Sequence, residues 1–327
     1  MLHAPYFSIV MPMFNRATLV GRALKSCLSQ SFADFEIVVV DDGSSDESCE
    51  VVLAHHDSRI RLVRHATNRG VCPSRNTAVA NASGLWLICL DSDDELLGEE
   101  ALQTMYRCTA AAPPEVSNVR FMYRLDSGEI SPDPVFKGDV LDYQGYFRWL
   151  ETASRGRHDA MICLRRSVFQ HVSFPDNRAM ETLFHFDFAK RFLTLDCPEV
   201  VGLCHQDASN SLCARFSGER LLEQAPDQSA MHDTLLRSHG DALRDYAPSL
   251  FMAELRAAAT FAFLCGNRRK GTRYSLRYLA INPLSPRMIA ILACGLFGPM
   301  TMVFAKWMTA EVRRSWPSRH SVYSGLL

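Results

Sequence analysis

A short apolar run that ends abruptly in carboxylates constrains the fold of this chain more than any other feature. Residues 87–90 read Leu-Ile-Cys-Leu and are followed by Asp91, Ser92, Asp93 and Asp94. The run is typical of a buried strand, and an open α/β sheet binds its ligands beyond the carboxyl ends of its strands. Because neighbouring carboxylates repel one another, the cluster favours a hard divalent cation that carries a phosphorylated ligand. A solvated turn that caps the next helix is the alternative interpretation.

Strands and helices alternate along the first part of the chain. Residues 7–11, 35–40 and 60–63 are apolar runs that, like 87–90, predict strands. The stretch at 19–28 predicts a helix between the first two runs, and 73–82 predicts a helix between the last two. This alternation with short connections is the signature of a parallel sheet that is covered on both faces.

A second acidic cluster, Asp41 and Asp42 before Gly43, follows the predicted second strand. Since the carboxyl ends of parallel strands share one edge, both clusters are expected at one crevice. A carboxylate there can accept hydrogen bonds from a base or from ribose hydroxyls, and a helix N-cap beside a glycine turn is the alternative. Two acidic clusters around one crevice suit a nucleotide held by its base side and, through a metal, by its diphosphate.

The bulk properties narrow the class of protein. A chain of 327 residues with 47% hydrophobic and 22% charged residues can bury a sizeable core. A formal net charge of -1 gives no argument for a nucleic-acid partner, so none is expected. Eleven cysteines without C-x-x-C pairs argue against a disulfide framework and for a reducing compartment. The first six residues lack the pattern of a secretory signal.

Four motifs occur in order, and together they resemble the family 2 glycosyltransferases with the GT-A fold. They are Ser-Ile-Val-Met-Pro-Met-Phe-Asn-Arg at 8–16, Glu-Ile-Val-Val-Val-Asp-Asp-Gly-Ser-Ser-Asp at 36–46, Asn-Arg-Gly at 68–70 with Arg-Asn at 75–76, and Leu-Asp-Ser-Asp-Asp at 90–94. The resemblance is close over residues 7–100 and looser over 160–215. It implies an α/β protein with a mostly parallel central sheet flanked by helices over residues 1–215. The residues themselves predict a helical C-terminal region over 216–327, with a basic turn at 268–271.

The resemblance also assigns a nucleotide-sugar site. In the family, the end of the first strand and the Asp-Asp-Gly turn bind the nucleotide of a sugar donor. The matching positions, together with those expected near the donor sugar, are Pro12, Asn15, Arg16, Asp41, Asp42, Arg75, Asp91 and Ser92. For Arg75, a solvated position on a helix surface is the alternative interpretation.

The metal site is implied in the same way. Asp91 and Asp93 match the D-x-D element of the family, and Asp93 is expected to be the direct ligand. Mg²⁺ or Mn²⁺ suits oxygen ligands and would neutralise the leaving diphosphate. His205 follows a predicted strand where many family members carry a histidine near the metal, so it is the third candidate ligand. A structural histidine is the alternative.

The general base, which takes the proton of the acceptor hydroxyl, stays open. The family commonly uses an acid in a Glu-Asp pair on a helix after the sheet. In one register Glu181 matches this pair and Thr182 replaces the aspartate. In a second register His185 occupies the pair and Asp187 follows it. Glu181, His185 and Asp187 are therefore the candidates, and a solvated helix acid is the alternative for Glu181.

Residues 288–305 carry no charge, and Arg287 and Lys306 flank them. Such a stretch is at the lower limit of the length that spans a bilayer. The flanks, which include Trp307 and Trp316, suit a membrane interface. A span, an interfacial helix within residues 287–316 and a packed helix all stay open. The expected location is the cytoplasm, with peripheral contact to the inner face of the cytoplasmic membrane.

We therefore predict a metal-dependent, inverting glycosyltransferase. It would move a sugar from a nucleotide-diphosphate donor to a glycan or lipid-linked acceptor in bacterial polysaccharide, lipopolysaccharide or other cell-surface glycan synthesis. A sugar nucleotidyltransferase is one rival, although its typical Gly-rich phosphate loop has no counterpart in residues 12–16. A non-catalytic nucleotide-sugar-binding protein is the other, and Thr182 supports it. The donor, acceptor, linkage and oligomeric state stay open.

Overall fold

The computed structural model describes residues 4–133, 135–153, 159–176, 181–205, 221–299 and 301. The strands within these residues are β1 (Phe7–Met13), β2 (Phe35–Asp41), β3 (Ile60–Arg64), β4 (Trp86–Cys89), β5 (Glu95–Leu96), β6 (Val116–Leu125), β7 (Ile130–Ser131), β8 (Val140–Leu141), β9 (Met161–Arg165) and β10 (Leu193–Cys204). The helices are α1 (Val20–Leu28), α2 (Ser48–Leu53), α3 (Val71–Asn81), α4 (Ala101–Ala111), α5 (Tyr143–Ala153), α6 (Glu181–Ala189), α7 (Leu221–Tyr246), α8 (Pro248–Leu264), α9 (Arg268–Ile281) and α10 (Pro286–Phe297).

All of these strands belong to one sheet with the order β3-β2-β1-β4-β9-β6-β10-β5. The strands β3, β2, β1 and β4 run parallel to one another. β9 is antiparallel to both of its neighbours, β4 and β6, while β6 and β10 are again parallel. The short strands β7 and β8 pair with β6 and β10. The α/β class with flanking helices and a helical C-terminal region is confirmed, and the sheet is parallel over its first four strands.

Alternate residues of the strands enter two separate cores, one on each face of the sheet. In β1, Ile9 and Met11 belong to one core and Val10 belongs to the other, as the two-residue period of a strand requires. Helices α1, α2 and α4 contribute side chains to the first core. Helices α3 and α6 contribute to the second, for example through Cys72 and Phe184. Both faces are therefore covered, which explains the continuous apolar runs in the sequence.

Two predicted boundaries were wrong for local reasons. The first strand was expected to stop at Pro12, but β1 continues to Met13. β4 pairs only with residues 7–10 of β1, so Pro12 lies beyond the part of β1 with neighbours on both sides, where a missing N–H costs less. Residues 268–271, expected to form a basic turn, instead begin α9. There the side chain of Asn267 caps the helix by accepting the N–H of Lys270 at 3.1 Å.

The chain divides into two compact units, Met1–Tyr146 with Arg157–Ala208, and Phe147–Gly156 with Ser209–Leu327. The second unit contains the helices α7 to α10. Within the described residues, no helix combines the length and the apolar character needed to cross a bilayer. α10 ends at Phe297, and residues 302–316 of the predicted membrane-associated stretch lie outside the described residues.

A buried ion pair joins β6 to β10 in the first unit. Arg120 donates from Nε to Asp196 Oδ1 at 2.7 Å and from Nη2 to Oδ2 at 2.9 Å. Both side chains are almost fully buried, and the guanidinium lies over the rings of Phe136 and Tyr146. This bidentate geometry satisfies both charges, so the pair can remain in the interior.

Removing one member of this pair should destabilise the fold. In Arg120→Met, Asp196 is left buried without its counter-charge, so the free energy of unfolding should fall by about 3–5 kcal/mol. Urea denaturation measures the change. Arg59→Met, which breaks a more exposed pair with Asp57, is the control and should cost markedly less. Equal losses in the two variants would contradict a stabilising role for the buried pair.

Candidate functional site

The parallel strands β1, β2 and β4 end at one edge of the sheet and bring the two acidic clusters there. Met13, the last residue of β1, is in register with Asp41. The N–H of Asp42 donates to the carbonyl of Met13 at 2.8 Å. β4 runs beside β1 and ends at Cys89, two residues before Asp91. The parallel arrangement of these strands, predicted from alternating patterns, therefore positions the acidic side chains.

Arg75 on α3 joins two sides of this site. Its side chain is 7% exposed, and Nη2 donates to Asp91 Oδ1 at 2.9 Å while Nη1 donates to Glu181 Oε1. The guanidinium also lies over the ring of Phe174, 5.6 Å from its centroid. Burial works to lower the pKa of Arg75, but Glu181 and Asp91 raise it well above its ordinary value. Arg75 is thus a buried cation between two carboxylates and does not occupy a solvated surface position.

The three candidate bases lie on α6 but face different neighbours. Burial works to raise the pKa of Glu181, but Arg75 and then His185 outweigh it and lower this pKa to about 2. His185 lies one turn further on, with Nε2 at 3.7 Å from Glu181 Oε1. Asp187 is exposed and lies near Tyr143, whose pKa is raised by burial and then by Asp187. Glu181 is therefore paired with Arg75, His185 lies next to Glu181, and Asp187 lies near Tyr143.

Two further arginines hold the turn that follows β4. Arg16 Nε lies 3.4 Å from Asp93 Oδ2, and Arg22 Nη2 donates to the carbonyl oxygen of Asp93 at 2.7 Å. Arg16 was a candidate from its motif, but the contribution of Arg22 was missed. No local pattern signals the contact of Arg22, because it depends on how α1 packs against the sheet.

The carboxyl groups after β4 are crowded. Ser92 and Asp94 are buried. Burial, and then the neighbouring charge of Asp91, raises the pKa of Asp94 to about 8. One Asp94 oxygen accepts the backbone N–H of His205 at 3.0 Å, which links this turn to the end of β10. A raised pKa is what is expected when carboxyl groups share a small volume, because a neighbouring like charge disfavours the ionised form.

The donor atoms of Asp91 and Asp93 fit a divalent cation. The side chains of Asp91 and Asp93 are 50% and 18% exposed. One residue, Ser92, separates them in the turn after β4. Among the described residues, no three His, Cys, Asp or Glu side chains are arranged as a complete metal site. Mg²⁺ is usually held by one or two carboxylates together with substrate phosphates. This donor set therefore suits an ion that is shared with a diphosphate.

His205 is held by two carboxylates. Its Nδ1 lies 2.8 Å from Asp126 Oδ1 and its Nε2 lies 2.7 Å from Glu95 Oε1. Both ring nitrogens are thus engaged in this arrangement, and an imidazole needs one free nitrogen lone pair to bind a metal. Residues 206–220, which follow His205, lie outside the described residues. The assignment of His205 as a metal ligand stays a prediction.

Hydrogen bonds join the first motif to the Asp-Asp-Gly turn. The N–H of Asn15 donates to Ser44 Oγ at 2.9 Å, and Asn15 Oδ1 accepts the N–H of Ser45 at 2.9 Å. Asp41 is fully buried, and it accepts from the N–H of Ser44 and from Arg64 Nε, each at 3.2 Å. Pro12 is also buried, within β1. Asn15 and Asp41 therefore shape the loop at this edge of the sheet.

Asp42 holds the start of α3. Its Oδ1 accepts the N–H of Arg69 at 2.9 Å, and its Oδ2 accepts the N–H of Gly70 at 2.7 Å. The ring of His65 bridges Asp42 and Thr77, with nitrogen–oxygen distances of 2.7 Å and 2.9 Å. Because α3 carries Arg75, this network of Asp42, His65 and Thr77 positions the central cation. The part played by His65 was not predicted from the sequence.

Asp42→Ala should therefore act on stability. It leaves two backbone N–H groups and the His65 ring without their acceptor, which should lower the free energy of unfolding by roughly 3 kcal/mol. Urea denaturation measures this loss. Asp57→Ala, which removes a less buried carboxylate paired with Arg59, is the matched control and should lose less. If Asp42→Ala unfolds at the same urea concentration as the wild type, the network of Asp42, His65 and Thr77 does not stabilise the fold.

Two curated relatives cover different shares of the chain. A PGL/p-HBAD biosynthesis glycosyltransferase of Mycobacterium bovis is 32% identical over 195 residues, which are 57% of this chain and 68% of that protein. A UDP-Glc:alpha-D-GlcNAc-diphosphoundecaprenol beta-1,3-glucosyltransferase of Escherichia coli is 41% identical over 87 residues, 27% of this chain and 34% of that protein. The matched stretch spans less than two thirds of several curated relatives.

Two solved structures have a similar fold. TarS 1–349 of S. aureus in complex with UDP-GlcNAc superposes with a TM-score of 0.56 at 16% identity, over 96% of this chain and 93% of that one. The mannosyltransferase PcManGT of Pyrobaculum calidifontis, in complex with GDP-Man and Mn²⁺, gives 0.54 at 17% identity, over 97% and 89%. At these identities the likeness shows a common fold.

The family follows from the match over the first unit. The model of the family described as Glycosyl transferase family 2 matches residues 8–173, about half of the chain. That stretch includes all four motifs, the edge of the sheet where their side chains meet, and Arg75. The chain belongs to the family 2 glycosyltransferases.

Proposed function

We propose that this chain transfers a sugar from a nucleotide-diphosphate donor to a hydroxyl acceptor, with inversion, in the synthesis of a cell-surface glycan. The observation that carries the proposal is the double contact of Arg75 with Asp91 and Glu181. It joins the carboxylates at the sheet edge to the candidate bases of α6. An in-line displacement needs a leaving group on one side of the anomeric carbon and a base on the other.

The donor binds, in this proposal, between the first motif and the turn after β4. Arg16 supports this placement, because it lies next to Asn15 and reaches toward Asp93, where a guanidinium can bind a diphosphate through charge-assisted hydrogen bonds. Asp41 would contribute through the shape of its loop or by exchanging Arg64 for the nucleotide. Pro12 and Ser92 line the same edge, and Asp42 acts by holding α3.

Asp93, with Asp91, would hold the Mg²⁺ or Mn²⁺. Bound there, the ion would neutralise the charge that accumulates on the departing diphosphate. Arg16 can bind the diphosphate, but Arg16 and Arg75 also face carboxylates of the site, so these two guanidinium groups alone do not balance the charge of an incoming diphosphate. The Mn²⁺ in the PcManGT complex supports the assignment. His205 could join the ligands only by exchanging Glu95 or Asp126.

His185 is the base that the geometry supports best. A Glu181 carboxylate with a pKa of about 2 is a weak base near neutral pH. His185 lies beside it, with Nε2 3.7 Å from Glu181 Oε1, so Glu181 can orient the imidazole. The acceptor oxygen attacks the anomeric carbon, the bond from that carbon to the diphosphate oxygen breaks, and the hydroxyl proton passes to His185. Glu181 itself and Asp187 are the alternative bases.

A lipid-linked glycan is the acceptor class we propose. The name of the Escherichia coli relative contains a diphosphoundecaprenol acceptor, and the Mycobacterium bovis relative acts in PGL/p-HBAD biosynthesis. Such an acceptor would place the reaction at the inner face of the cytoplasmic membrane. In this proposal residues 1–215 form the catalytic domain and the helical region 216–327 makes peripheral contact with the membrane.

The metal assignment predicts the behaviour of Asp93→Asn. Its kcat/KM should fall by about a hundredfold or more, with an unchanged free energy of unfolding, and chelation should stop the wild type until Mg²⁺ or Mn²⁺ is restored. Asp57→Asn, at a surface ion pair, is the control and should keep wild-type turnover. Normal turnover by Asp93→Asn with a persisting metal requirement would rule out Asp93 as the ligand.

The base assignment predicts an order among three variants. His185→Gln should lose about 10²–10⁴-fold in kcat while donor binding, measured by calorimetry, stays at the wild-type value. Glu181→Gln should lose less than His185→Gln, and Asp187→Asn should remain close to the wild type. If Asp187→Asn or Glu181→Gln loses the most, the proton goes to that residue.

One assay separates this function from its rivals. The protein is incubated with a panel of nucleotide sugars, a divalent cation and a lipid-linked glycan acceptor. Release of nucleoside diphosphate supports sugar transfer. Formation of a sugar nucleotide from a sugar phosphate and a nucleoside triphosphate would indicate a nucleotidyltransferase. Donor binding without release by any donor would indicate a non-catalytic protein.

A further inference from the structure

The outward sides of α9 and α10 expose large apolar side chains. Leu276 on α9 is 56% exposed, and Leu284 in the following turn is 85% exposed. On α10, Ile289 and Leu296 are about half exposed and Phe297 is 81% exposed. Leu296 and Phe297 follow Ile289 by seven and eight positions, so the three side chains lie along one stripe of the helix. Exposed apolar side chains that form a contiguous patch are typical of an interaction site.

Helices α9 and α10 are neighbours that pack on the same ring of α8. A Cβ atom added at Gly271 of α9 or at Gly295 of α10 would overlap the ring of Phe263 on α8. Both helices therefore pack their glycine sides against one aromatic ring and turn their other sides away from α8. The guanidinium of Arg268, at the start of α9, comes within 3.9 Å of the Cβ position of Gly298, just after α10. The two helices thus lie side by side and antiparallel, and both turn exposed side chains away from Phe263 to the surface of this unit.

The same surface is basic. Between residues 266 and 299 the chain has six basic residues and no acidic residue, although its net charge is -1. The six are Arg268, Arg269, Lys270, Arg273, Arg277 and Arg287. All except Lys270 are exposed. Asp233 of α7 lies 3.1 Å from Lys270 and 3.9 Å from Arg273, so it offsets part of the charge at one end only.

We propose that this surface, formed by the exposed side chains of residues 268–297 and called the α9–α10 surface, binds an anionic phospholipid membrane. The arginines would meet the headgroups, and Leu284, Ile289 and Phe297 would enter the boundary between headgroups and acyl chains. α10 has 12 residues and is about 18 Å long. The described part of α10 is therefore of a length that suits a helix lying in the interface.

The basic charge favours a lipid over a second copy of the chain. Two copies joined through the α9–α10 surface would bring the five exposed basic residues of each chain against those of the other, and like charges at such a contact repel. An anionic membrane supplies the opposite charge across the whole surface. The membrane also deepens the proposed function, since the benefit of docking there rests on a lipid-linked acceptor, whereas the binding itself does not.

Vesicle flotation with the full chain tests the proposal. The wild type should float with vesicles of phosphatidylcholine and phosphatidylglycerol, should remain at the bottom with phosphatidylcholine alone, and should detach at high salt because ionic attraction is screened. Transfer of the sugar from the donor to a water-soluble acceptor is measured in parallel. A chain that floats but transfers no sugar would contradict the proposed function while supporting the α9–α10 surface.

Two pairs of substitutions locate the surface. Leu284→Ser with Phe297→Ser, and separately Arg273→Gln with Arg277→Gln, should each weaken binding to anionic vesicles by about tenfold or more. All four side chains are exposed, so the fold should be kept, and turnover with the soluble acceptor should stay at the wild-type value. Only the arginine pair should also reduce the salt dependence.

The matched controls lie in the first unit. Leu53→Ser with Leu85→Ser removes two apolar side chains that are 61% and 51% exposed, and Arg107→Gln with Arg124→Gln removes two exposed arginines. Both double variants should float like the wild type. Equal binding to neutral and anionic vesicles, or equal losses in control and surface variants, would overturn the proposal. A dimer in sedimentation that Phe297→Ser abolishes would also overturn it and would assign the surface to self-association.

Discussion

The candidate site depends on one buried cation between two carboxylates. Arg75 is nearly excluded from solvent, and removing a guanidinium from water costs more than a single weak contact returns. The cost is offset because Asp91 and Glu181 both accept from it. In turn, these carboxylates can face one another only because the guanidinium separates them. The end of β4, helix α3 and the start of α6 are therefore held in one arrangement by a shared electrostatic constraint.

That arrangement is supported from behind by a second polar network. Asp42 accepts two backbone N–H groups at the start of α3, and His65 connects Asp42 to Thr77 on the same helix. Every donor that reaches Asp42 is satisfied, and satisfied buried networks are rigid. The helix that presents Arg75 is thus fixed at its start and along its side. Residues that touch no substrate in the proposed reaction decide where the charged groups of the site lie.

The predictable part of the fold is the part that local pattern controls. The apolar runs of β1, β2 and β4 are nearly continuous because both faces of the sheet are covered, so their parallel arrangement and their shared edge followed from the sequence. Pro12 and the basic start of α9 were misjudged, since a missing neighbour and an N-cap overrode local preference. The contacts of Arg22 and His65 could not be predicted, because no pattern in one chain reports a partner on another element.

The amino-acid sequence alone was sufficient for the α/β class, for the family resemblance and for the acidic clusters at the sheet edge, since strands and turns follow from near neighbours. Tertiary packing decided that Glu181, with His185 next to it, pairs with Arg75, that two carboxylates engage His205, and that α9 and α10 turn apolar side chains outward. These facts join residues as far as 106 and 110 positions apart. Such pairs meet only after the layers of the fold pack together, so periodicity along the chain carries no record of them.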